Sequence, residues 1–358
     1  MTPVQTVEPS EAPAPAAPVM SRIGPANMRR HAPFSVILEL TRKCNIHCVH
    51  CYATPHQGRP ELSTERILAT IDELRALGTM FITFTGGEFA VRRDWLDILR
   101  HTHARRLAIQ FFTNATRFDE ASIAELAKLN VFHIGVSVYG ATAATHESVT
   151  ASRCSFEKTM RNAIRLREAG LHVVLKYILM DLNIHEYDAM LEMAARLGLV
   201  CKPDVSLTPR DNRDMRPVRM RISPEHLRRI FRDRSAAGLG GPHGESADEF
   251  KCGMGSTFCS VNAYGDVYPC VQLPIPAGNL HEKTFTEIWT GSPLLHEIRR
   301  YGGERLHVCP GCRYRKYCHR CPGMTYQEDG DLFGPSTSAC REAMAWKEVL
   351  EGPDPLFE

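Results

Sequence analysis

The chain has 358 residues and a net charge of +2, with 43% hydrophobic and 23% charged residues. This is the composition of an ordinary folded protein, and the near-neutral charge gives no sign of binding to nucleic acid or to a membrane surface. No apolar run approaches the roughly 20 residues of a membrane span, and the N-terminal residues lack the basic start and apolar centre of a secretory signal. We therefore expect a cytoplasmic protein that has neither nucleic acid nor membrane among its partners.

The first segment, residues 1–32, is rich in proline and alanine and is predicted to be a disordered arm. From about residue 34, apolar runs rich in β-branched residues alternate with segments of helical spacing. Six runs are predicted to be strands, over residues 34–40, 80–85, 107–113, 131–138, 171–180 and 201–207. Strands that alternate with helices form βαβ units with right-handed crossovers, so the sequence predicts an α/β fold. An open or closed barrel and a flat doubly wound sheet both fit this alternation.

Two of the helical segments have predicted boundaries. The first covers residues 64–77 and has one apolar face. The second covers residues 155–169, with Ser155 as its N-cap and Gly170 as its stop.

The alternation ends near residue 210, where an arginine-rich stretch over residues 210–234 begins. Its arginines are mixed with acidic residues, which is typical of a solvated helix face and linker, with an anion or acidic-peptide contact as the alternative. Ser223 and Pro224 mark the start of a helix within this stretch. The loop over residues 238–244 is rich in Gly, Pro and His, and we place a domain boundary there.

Thirteen cysteines are many for a chain without an export signal. Such chains use clustered cysteines for metal binding or catalysis rather than for disulfides. Three cysteines lie within residues 44–51 and eight within residues 252–340. Cys154 and Cys201 stand alone, and we predict that both are small buried hydrophobic residues.

The first cluster, Cys44, Cys48 and Cys51, directly follows the first predicted strand. Four thiolates saturate the irons of a cubane iron–sulfur cluster, so three thiolates leave one iron open to another ligand. A zinc site is the alternative, because His47 and His50 could add nitrogen ligands.

Gly86, Gly87 and Glu88 follow the second predicted strand. Glycines at the carboxyl end of a parallel strand let the backbone approach a ligand closely, and the carboxylate could accept hydrogen bonds from an ammonium group. A simple turn is the alternative interpretation.

These two motifs, Cys-x-x-x-Cys-x-x-Cys and Gly-Gly-Glu, resemble those of the radical S-adenosylmethionine (SAM) superfamily over about residues 34–210. The resemblance implies a partial, six-unit (β/α) TIM-like barrel in which the open iron binds the amino and carboxylate groups of SAM. It also implies a set of SAM-binding residues, which are His50, Gly86, Gly87, Glu88, Asn114, Ser137 and Arg153.

The resemblance also implies a role for each position. The Gly-Gly-Glu residues would contact the SAM amino group. Ser137 would contact the ribose or methionine part, and Arg153 would hold the carboxylate, which suits a bidentate cation. His50 stands where an aromatic residue usually packs near adenine; it can stack but can also titrate. Phe89 replaces the proline that usually follows the Gly-Gly-Glu motif.

In this family one electron passes from the cluster to SAM, and the resulting 5′-deoxyadenosyl radical removes hydrogen from an unactivated C–H bond. That step needs no side-chain base, and the sequence leaves the catalytic residues beyond the cluster unknown. Several residues on or after the fourth and fifth strands are candidates for a base, with packing as the alternative role of each. These are Tyr139, His172, Lys176, Tyr177 and Asp181.

The eight later cysteines resemble the SPASM extension of radical SAM enzymes, in which Gly265 has the expected spacing before Cys270. A short helix over residues 284–289 also fits, whereas the gap from Cys318 to Cys321 is one residue shorter than usual. The resemblance implies two auxiliary [4Fe–4S] clusters with interleaved ligands. The first set is Cys252, Cys259, Cys270 and Cys321; the second set is Cys309, Cys312, Cys318 and Cys340. Two four-cysteine zinc sites are the alternative.

By this resemblance the chain consists of a radical SAM barrel over residues 33–237, a SPASM domain over 238–348 and a tail over 349–358. It would bind SAM and three [4Fe–4S] clusters, one that binds SAM and two auxiliary clusters. Auxiliary clusters with four cysteines each have no open iron, so they would act as electron relays or tune the position of the substrate.

SPASM-type enzymes mostly modify ribosomally made peptides, so the resemblance implies a radical SAM oxidoreductase that modifies or crosslinks a peptide. Val271 replaces the aspartate of sulfatase-maturing members and argues against that activity. The alternatives are a radical SAM dehydrogenase of a small molecule such as an amino sugar, and a zinc-binding module without enzymatic activity. The expected partners are the peptide and an electron donor of the flavodoxin or ferredoxin type. The region before Phe34 is too short for a leader-binding domain, so either a separate leader-binding protein is expected or the peptide binds the open barrel face directly.

Overall fold

The computed structural model describes residues 28, 30–54, 58–129, 131–237, 241, 252–300 and 305–352. The first half contains the strands β1 (Ser35–Thr41), β2 (Phe81–Gly86), β3 (Ala108–Thr113), β4 (His133–Ser137), β5 (Val173–Ile178) and β6 (Val200–Asp204). It also contains the helices α1 (Thr64–Ala76), α2 (Trp95–Ala104), α3 (Glu120–Lys128), α4 (Ala143–Thr150), α5 (Ser155–Glu168) and α6 (Tyr187–Arg196). All six predicted strands are present, with ends that differ from the predicted ones by at most three residues.

The six strands are hydrogen-bonded in the order β6-β5-β4-β3-β2-β1, and each neighbouring pair is parallel. Since every crossover steps to the next strand in the same direction and is right-handed, the connecting helices lie on one face of the sheet. A doubly wound sheet instead reverses its strand order and carries helices on both faces. The predicted partial barrel is confirmed, and the doubly wound alternative is wrong.

Alternate residues of each strand face opposite sides of this sheet. The outward side chains form the main core beneath the helices, where Leu38, Phe84, Phe111 and Val136 are at most 4% exposed. Burying side chains of this kind stabilises the fold by about 2 kcal/mol each. The inward side chains are more polar, and several of them, including Lys176, line a cavity.

The two helices with predicted boundaries begin differently. The Ser63 hydroxyl caps α1 by accepting a hydrogen bond from the N–H of Arg66. In α5 the N-cap is Cys154, in the left-handed conformation, and Ser155 is already helical. The Ser155 hydroxyl donates to the Ser152 carbonyl at 2.8 Å instead of capping the helix. The predicted N-cap at Ser155 is therefore wrong.

The second half contains the strands β7 (Phe258–Val261), β8 (Asp266–Tyr268) and β9 (Gly278–Asn279). Its helices are α7 (Pro224–Ala236), α8 (Phe285–Gly291), α9 (Pro293–Ile298), α10 (Pro322–Asp329) and α11 (Thr337–Glu351). Strand β7 pairs in parallel with β1, so the C-terminal region extends the barrel sheet beyond its first strand. Strands β8 and β9 follow in antiparallel pairing.

Helix α7 begins within the arginine-rich stretch, with Ser223 as its N-cap and Pro224 as its first residue, as predicted. One face of it is buried, because Phe231 stacks on Trp346 of α11 with the ring centroids 4.4 Å apart. The helix is thus packed on the C-terminal helix rather than solvated on all sides. Helix α11 continues to Glu351, so the predicted tail from residue 349 begins inside a helix.

Other predictions have mixed outcomes. The predicted domain boundary over 238–244 lies outside the described residues except for Gly241, and so does most of the predicted arm. Cys154 is exposed, so the prediction that it is buried is wrong; Cys201 is half-buried and packs against the core. In the described part of the chain, no helix is both long and apolar enough to cross a membrane.

Candidate functional site

The loop that follows β1 carries Cys44, Cys48 and Cys51, and all three line a cavity of about 1090 Å³. Burial raises the pKa of all three thiols. Charge on neighbouring thiols raises the pKa of Cys44 and Cys48 further, as expected for thiols that share one small volume.

The chemistry of this donor set fits an iron–sulfur cluster. A single zinc ion holds its thiolates about 2.3 Å from one point, whereas a four-iron cluster spreads its thiolates more widely. No three Cys, His, Asp or Glu side chains of the described residues converge as ligands of a single ion.

A buried charge network fixes both ends of this loop. The Arg42 guanidinium lies 2.8 Å from the Glu39 carboxylate and 2.6 Å from the Asp211 carboxylate. The Tyr52 hydroxyl donates to Glu39 at 2.8 Å, and the Asp211 N–H donates to the Tyr52 carbonyl at 3.0 Å. Burial raises the pKa of Glu39, and the Arg42 charge opposes this rise. The loop is thus tied to β1 and to the segment after β6.

Gly86 and Gly87 border the cavity, but close contact with the cysteine loop is what requires glycine at these positions. A Cβ on Gly86 would lie 2.2 Å from the Thr41 carbonyl oxygen, and one on Gly87 would lie 2.3 Å from that of Lys43. The backbone also bonds across this contact, from Gly87 N–H to Thr41 at 2.8 Å and from Glu88 N–H to Lys43 at 2.9 Å. The predicted reason, approach to a ligand, is therefore secondary.

The Glu88 side chain is fully buried and turned away from the cavity. Its carboxylate accepts hydrogen bonds from the Thr113 hydroxyl at 2.8 Å, the Asn114 N–H at 2.8 Å and the Ala90 N–H at 3.3 Å. Burial raises the pKa of Glu88 to about 7, although these donors oppose the rise. The contact of this carboxylate with SAM stays a prediction. Glu88 fixes the turn that carries Asn114.

Three other predicted SAM-binding residues, His50, Asn114 and Ser137, line the same cavity. The Asn114 amide donates to the Asn45 side chain at 3.1 Å and points at the Cys44 sulfur at 3.9 Å. The His50 ring meets Tyr139 edge to face, with the centroids 4.6 Å apart. Burial lowers the pKa of His50 to about 4, so this ring is neutral at physiological pH and presents an apolar surface.

Arg153 does not join these residues. It lies in the turn between α4 and α5, is exposed, and does not line the cavity. The cation that the family resemblance implies, Arg153, therefore does not lie at the cysteine loop in this structure. Arg210 does line the cavity, and its charge lowers the pKa of Cys51. The sequence analysis did not single out Arg210, because it reads as one of many arginines in a linker.

Two of the five candidate bases line the cavity and the other three do not. Lys176 and Tyr139 line the cavity. Tyr177 faces the outer core, where its hydroxyl donates to the Asn183 carbonyl at 2.7 Å, so packing explains it. His172 and Asp181 are exposed and do not line the cavity.

The C-terminal region contributes to the same cavity through Tyr264 and Gln272. Arg59 holds this region against the barrel, because its guanidinium makes two bonds to the Asp266 carboxylate, at 2.7 and 2.8 Å. The guanidinium also lies over the Tyr264 ring, 5.1 Å from its centroid. No local sequence pattern marks Tyr264 or Gln272, so sequence analysis missed both.

The first auxiliary set of cysteines lies together in the structure. Burial raises the pKa of Cys270 to about 12, and charge on Cys321 and Cys252 adds to the rise. Cys259 on β7 is fully buried, which raises its pKa, and charge on Cys270 raises it further.

The second auxiliary set lies together as well. Burial raises the pKa of Cys318 to about 11, with further contributions from the charges of Cys340, Cys309 and Cys312. Cys318 and Cys321 are close in sequence but belong to different sets: Cys321 raises the pKa of Cys270, whereas the pKa of Cys318 is raised by Cys340, Cys309 and Cys312. The two sets therefore interleave along the chain.

Comparisons with known proteins agree with this arrangement. The radical SAM superfamily matches residues 38–194, and the SPASM iron–sulfur cluster-binding domain matches residues 252–322. The AdoMet-dependent heme synthase of Methanosarcina barkeri is 28% identical over 330 residues, which are 84% of this chain and 94% of that protein. The mycofactocin maturase MftC of Mycolicibacterium smegmatis is 28% identical over 312 residues, which are 80% of this chain and 77% of that protein.

Among solved structures, Streptococcus suis SuiB bound to its precursor peptide SuiA is similar, with a TM-score of 0.69 and 14% identity. The match covers 94% of this chain and 84% of SuiB, and at this identity it shows a common fold. The two domain matches, the parallel partial barrel and the cysteines at its cavity lead to one conclusion. The chain contains a radical SAM domain over residues 38–194 and, C-terminal to it, a SPASM iron–sulfur cluster-binding domain over residues 252–322.

Proposed function

We propose that this protein is a cytoplasmic radical SAM oxidoreductase that modifies a ribosomally made peptide. The observation that carries the proposal is the convergence of Cys44, Cys48 and Cys51 on one large cavity that both domains line. When bound there, a [4Fe–4S] cluster and SAM supply a 5′-deoxyadenosyl radical that removes hydrogen from the substrate. In this proposal residues 33–237 form the barrel domain and residues 238–348 the SPASM domain.

The chain's own residues would bind and orient SAM. Three thiols leave one iron open for the methionine end of SAM. Gly86, Gly87, Asn114 and Ser137 border the space next to these thiols, and the neutral His50 ring offers an apolar surface to an adenine ring. Glu88 would act indirectly, by holding the Asn114 turn.

The eight C-terminal cysteines would hold two auxiliary [4Fe–4S] clusters, one on each set. Because each set supplies four thiols, neither auxiliary cluster has an iron left for substrate. They would act as electron relays or tune the position of the substrate, and a relay fits best because a bond-forming oxidation of a substrate radical requires removal of one more electron. An external donor of the flavodoxin or ferredoxin type would supply the electron that starts each turnover.

The peptide substrate is supported by two relatives. MftC is named as a maturase of mycofactocin, and SuiB was solved with its precursor peptide SuiA. The cavity, at about 1090 Å³, has room for a peptide segment beside SAM. A separate protein that binds the leader of the peptide is a further proposed partner.

A small-molecule substrate is the second candidate. The AdoMet-dependent heme synthase relative is 28% identical and is covered over 94% of its length, so a heme precursor is a specific alternative to a peptide. The same cleavage of SAM would serve either substrate.

The test uses anaerobically reconstituted protein with SAM and a chemical reductant, and it measures 5′-deoxyadenosine by mass spectrometry. The triple variant C44A/C48A/C51A should produce none, whereas C154A, which changes an exposed cysteine outside the three sets, should match the wild type. Equal production by the triple variant would refute the proposal. Stimulation by a peptide encoded beside the gene, and not by a heme precursor, would support the peptide substrate; the reverse result would favour the small molecule.

A further inference from the structure

Three adjacent strands combine to present one lysine to the cavity. Lys176 of β5 points inward, and its Nζ lies 3.8 Å from the centroid of the Phe112 ring on β3. An ammonium over an aromatic face is attracted to the ring electrons, which partly replaces lost hydration. The ring covers one side of the ammonium, and its other N–H donors remain available to the cavity.

The strand between them is built to allow this contact. Gly135 of β4 lies between Phe112 and Lys176, and a Cβ there would lie 2.7 Å from Phe112 Cδ1 and 2.9 Å from Lys176 Cδ. A glycine inside a strand weakens the strand and commonly marks a close approach. Here the missing side chain makes room for the lysine on the ring.

No carboxylate pairs with the Lys176 ammonium in the described part of the chain. Within those residues, no ion pair or hydrogen bond of Lys176 Nζ is formed, and the inward-facing Asp204 accepts the Ser206 N–H at 2.8 Å. Burial lowers the pKa of Lys176, the charge of Asp204 opposes this, and Lys202 adds to it. The Lys176 ammonium is therefore available to an anion that enters the cavity.

The depth of Lys176 separates it from the end of SAM that binds iron. Ile178, two residues further along β5, packs against the same small apolar cluster as Cys48 of the cysteine loop. A strand rises about 3.3 Å per residue, so Lys176 lies about 6.6 Å deeper in the barrel than Ile178. In the proposed function the three thiols of the cysteine loop would hold the cluster that binds the methionine end of SAM, so this lysine would be left for another anion.

We propose that Lys176 binds a carboxylate group of the substrate at the floor of the cavity. The inference rests on the proposed peptide function and specifies it, because the peptide segment that enters the barrel then carries a free carboxylate, either its C-terminus or an acidic side chain. Phe112 and Gly135 are positioning residues that hold the ammonium in place.

The first test uses the wild-type holoenzyme and a matched pair of probes. N-acetyl-alanylglycine and its C-terminal amide differ only in the carboxylate. Each is titrated into protein that contains SAM, followed by a short pulse of an acetylating reagent and mass spectrometry of the Lys176 peptide. The acid should protect Lys176 with a midpoint about tenfold lower than that of the amide, as expected for a charge-assisted hydrogen bond. Lys202, its exposed register partner on β6, should be labelled equally in all samples.

Two results would overturn the inference. One is equal protection by the acid and the amide. The other is full protection by SAM alone, which would mean that the lysine holds the carboxylate of SAM rather than that of a substrate. The 5′-deoxyadenosine assay on the same protein separates this from the proposed function. If the protein makes 5′-deoxyadenosine but the acid and the amide protect Lys176 equally, only the inference is refuted. If it makes no 5′-deoxyadenosine, the proposed function is refuted, and stronger protection by the acid would still support the lysine site.

Variants give a second, independent measurement by probe binding. K176M should lose the tenfold preference for the acid, and K176R should retain part of it because the charge is kept. G135A should weaken the preference through displacement of the lysine. K202M is the matched control and should bind both probes as the wild type does. A preference that survives in K176M would contradict the proposal.

Discussion

Substitution of Gly87 by alanine will displace the cysteine loop. The added Cβ would lie 2.3 Å from the Lys43 carbonyl oxygen, where ordinary contact begins at 3.4 Å. The atom it meets is backbone rather than the end of a flexible side chain, so the loop must move by about 1.1 Å, the difference between these distances. The Gly87 and Glu88 N–H groups now donate across this contact at 2.8 and 2.9 Å.

The displacement sets the size of the effect. Both hydrogen bonds lengthen to about 4 Å, which is beyond bonding range. A buried backbone hydrogen bond contributes about 1 to 1.5 kcal/mol, and an unpaired buried group costs more, so the free energy of unfolding should fall by about 2 to 4 kcal/mol. Cys44 follows Lys43 directly and moves with it, so assembly of the first cluster should suffer as well.

The assay compares G87A with G291A, because a Cβ on Gly291 meets no atom within 4 Å. Denaturant unfolding of the metal-free protein reports the free energy, and iron analysis after anaerobic reconstitution reports the cluster. G87A should lose the stated stability and about four iron atoms per chain, the content of one cluster. If G87A matches G291A in both measurements, the close packing of the two motifs is not what requires glycine.

Three further predictions concern pH, the domain contact and the metal. Buried His146 accepts the Tyr139 N–H at 3.2 Å, and burial lowers its pKa from 6.5 to about 4. The neutral ring therefore stabilises the fold above pH 6.5, and this stability is lost as the pH falls towards 4. Between about pH 7.5 and about pH 4.5 the wild type should lose about 2 to 3 kcal/mol more unfolding free energy than H146N does. An unchanged pH profile in H146N would contradict this. R59M removes the two bonds to Asp266 and should lower the free energy of unfolding by about 1 kcal/mol in denaturant titrations, and an unaltered midpoint would show that this contact is not stabilising. C312A should reduce the iron content from about twelve to about eight atoms per chain, whereas the exposed-cysteine variant C154A should keep about twelve, so equal iron in the two would rule out a cluster on the second set.

The order of strands and helices is predictable from the sequence because each element buries one side of itself. The outward residues of the strands are apolar at every second position, and α1 buries Ile67, Ile71 and Leu74 at helical spacing. The choice between a partial barrel and a doubly wound sheet is not local, since it depends on which strands become neighbours. Only the family motifs indicate that choice before the strand order is known.

The direction of individual side chains is less predictable. Glu88 follows two glycines, and the turn there could present its carboxylate to either side. Thr113 and Asn114, about 25 residues away on another strand, provide the donors that turn it into the interior. Arg153 and Cys154 face solvent for a similar reason, because the left-handed conformation of Cys154 sets the direction of the chain before α5. Such outcomes depend on contacts that the local sequence does not contain.

The pairing of β7 with β1 has a consequence for how the protein is made. Phe258 is the register partner of Ser35, so a ribosome synthesises 222 residues between Ser35 and Phe258. At about 5 to 20 residues per second, β1 remains an unpaired sheet edge for about 11 to 45 seconds. An exposed edge of this kind can pair with other chains. During translation the nascent barrel therefore avoids such pairing only if chaperones cover this edge or if it meets other chains slowly. Expression of the barrel without β7 should favour aggregation.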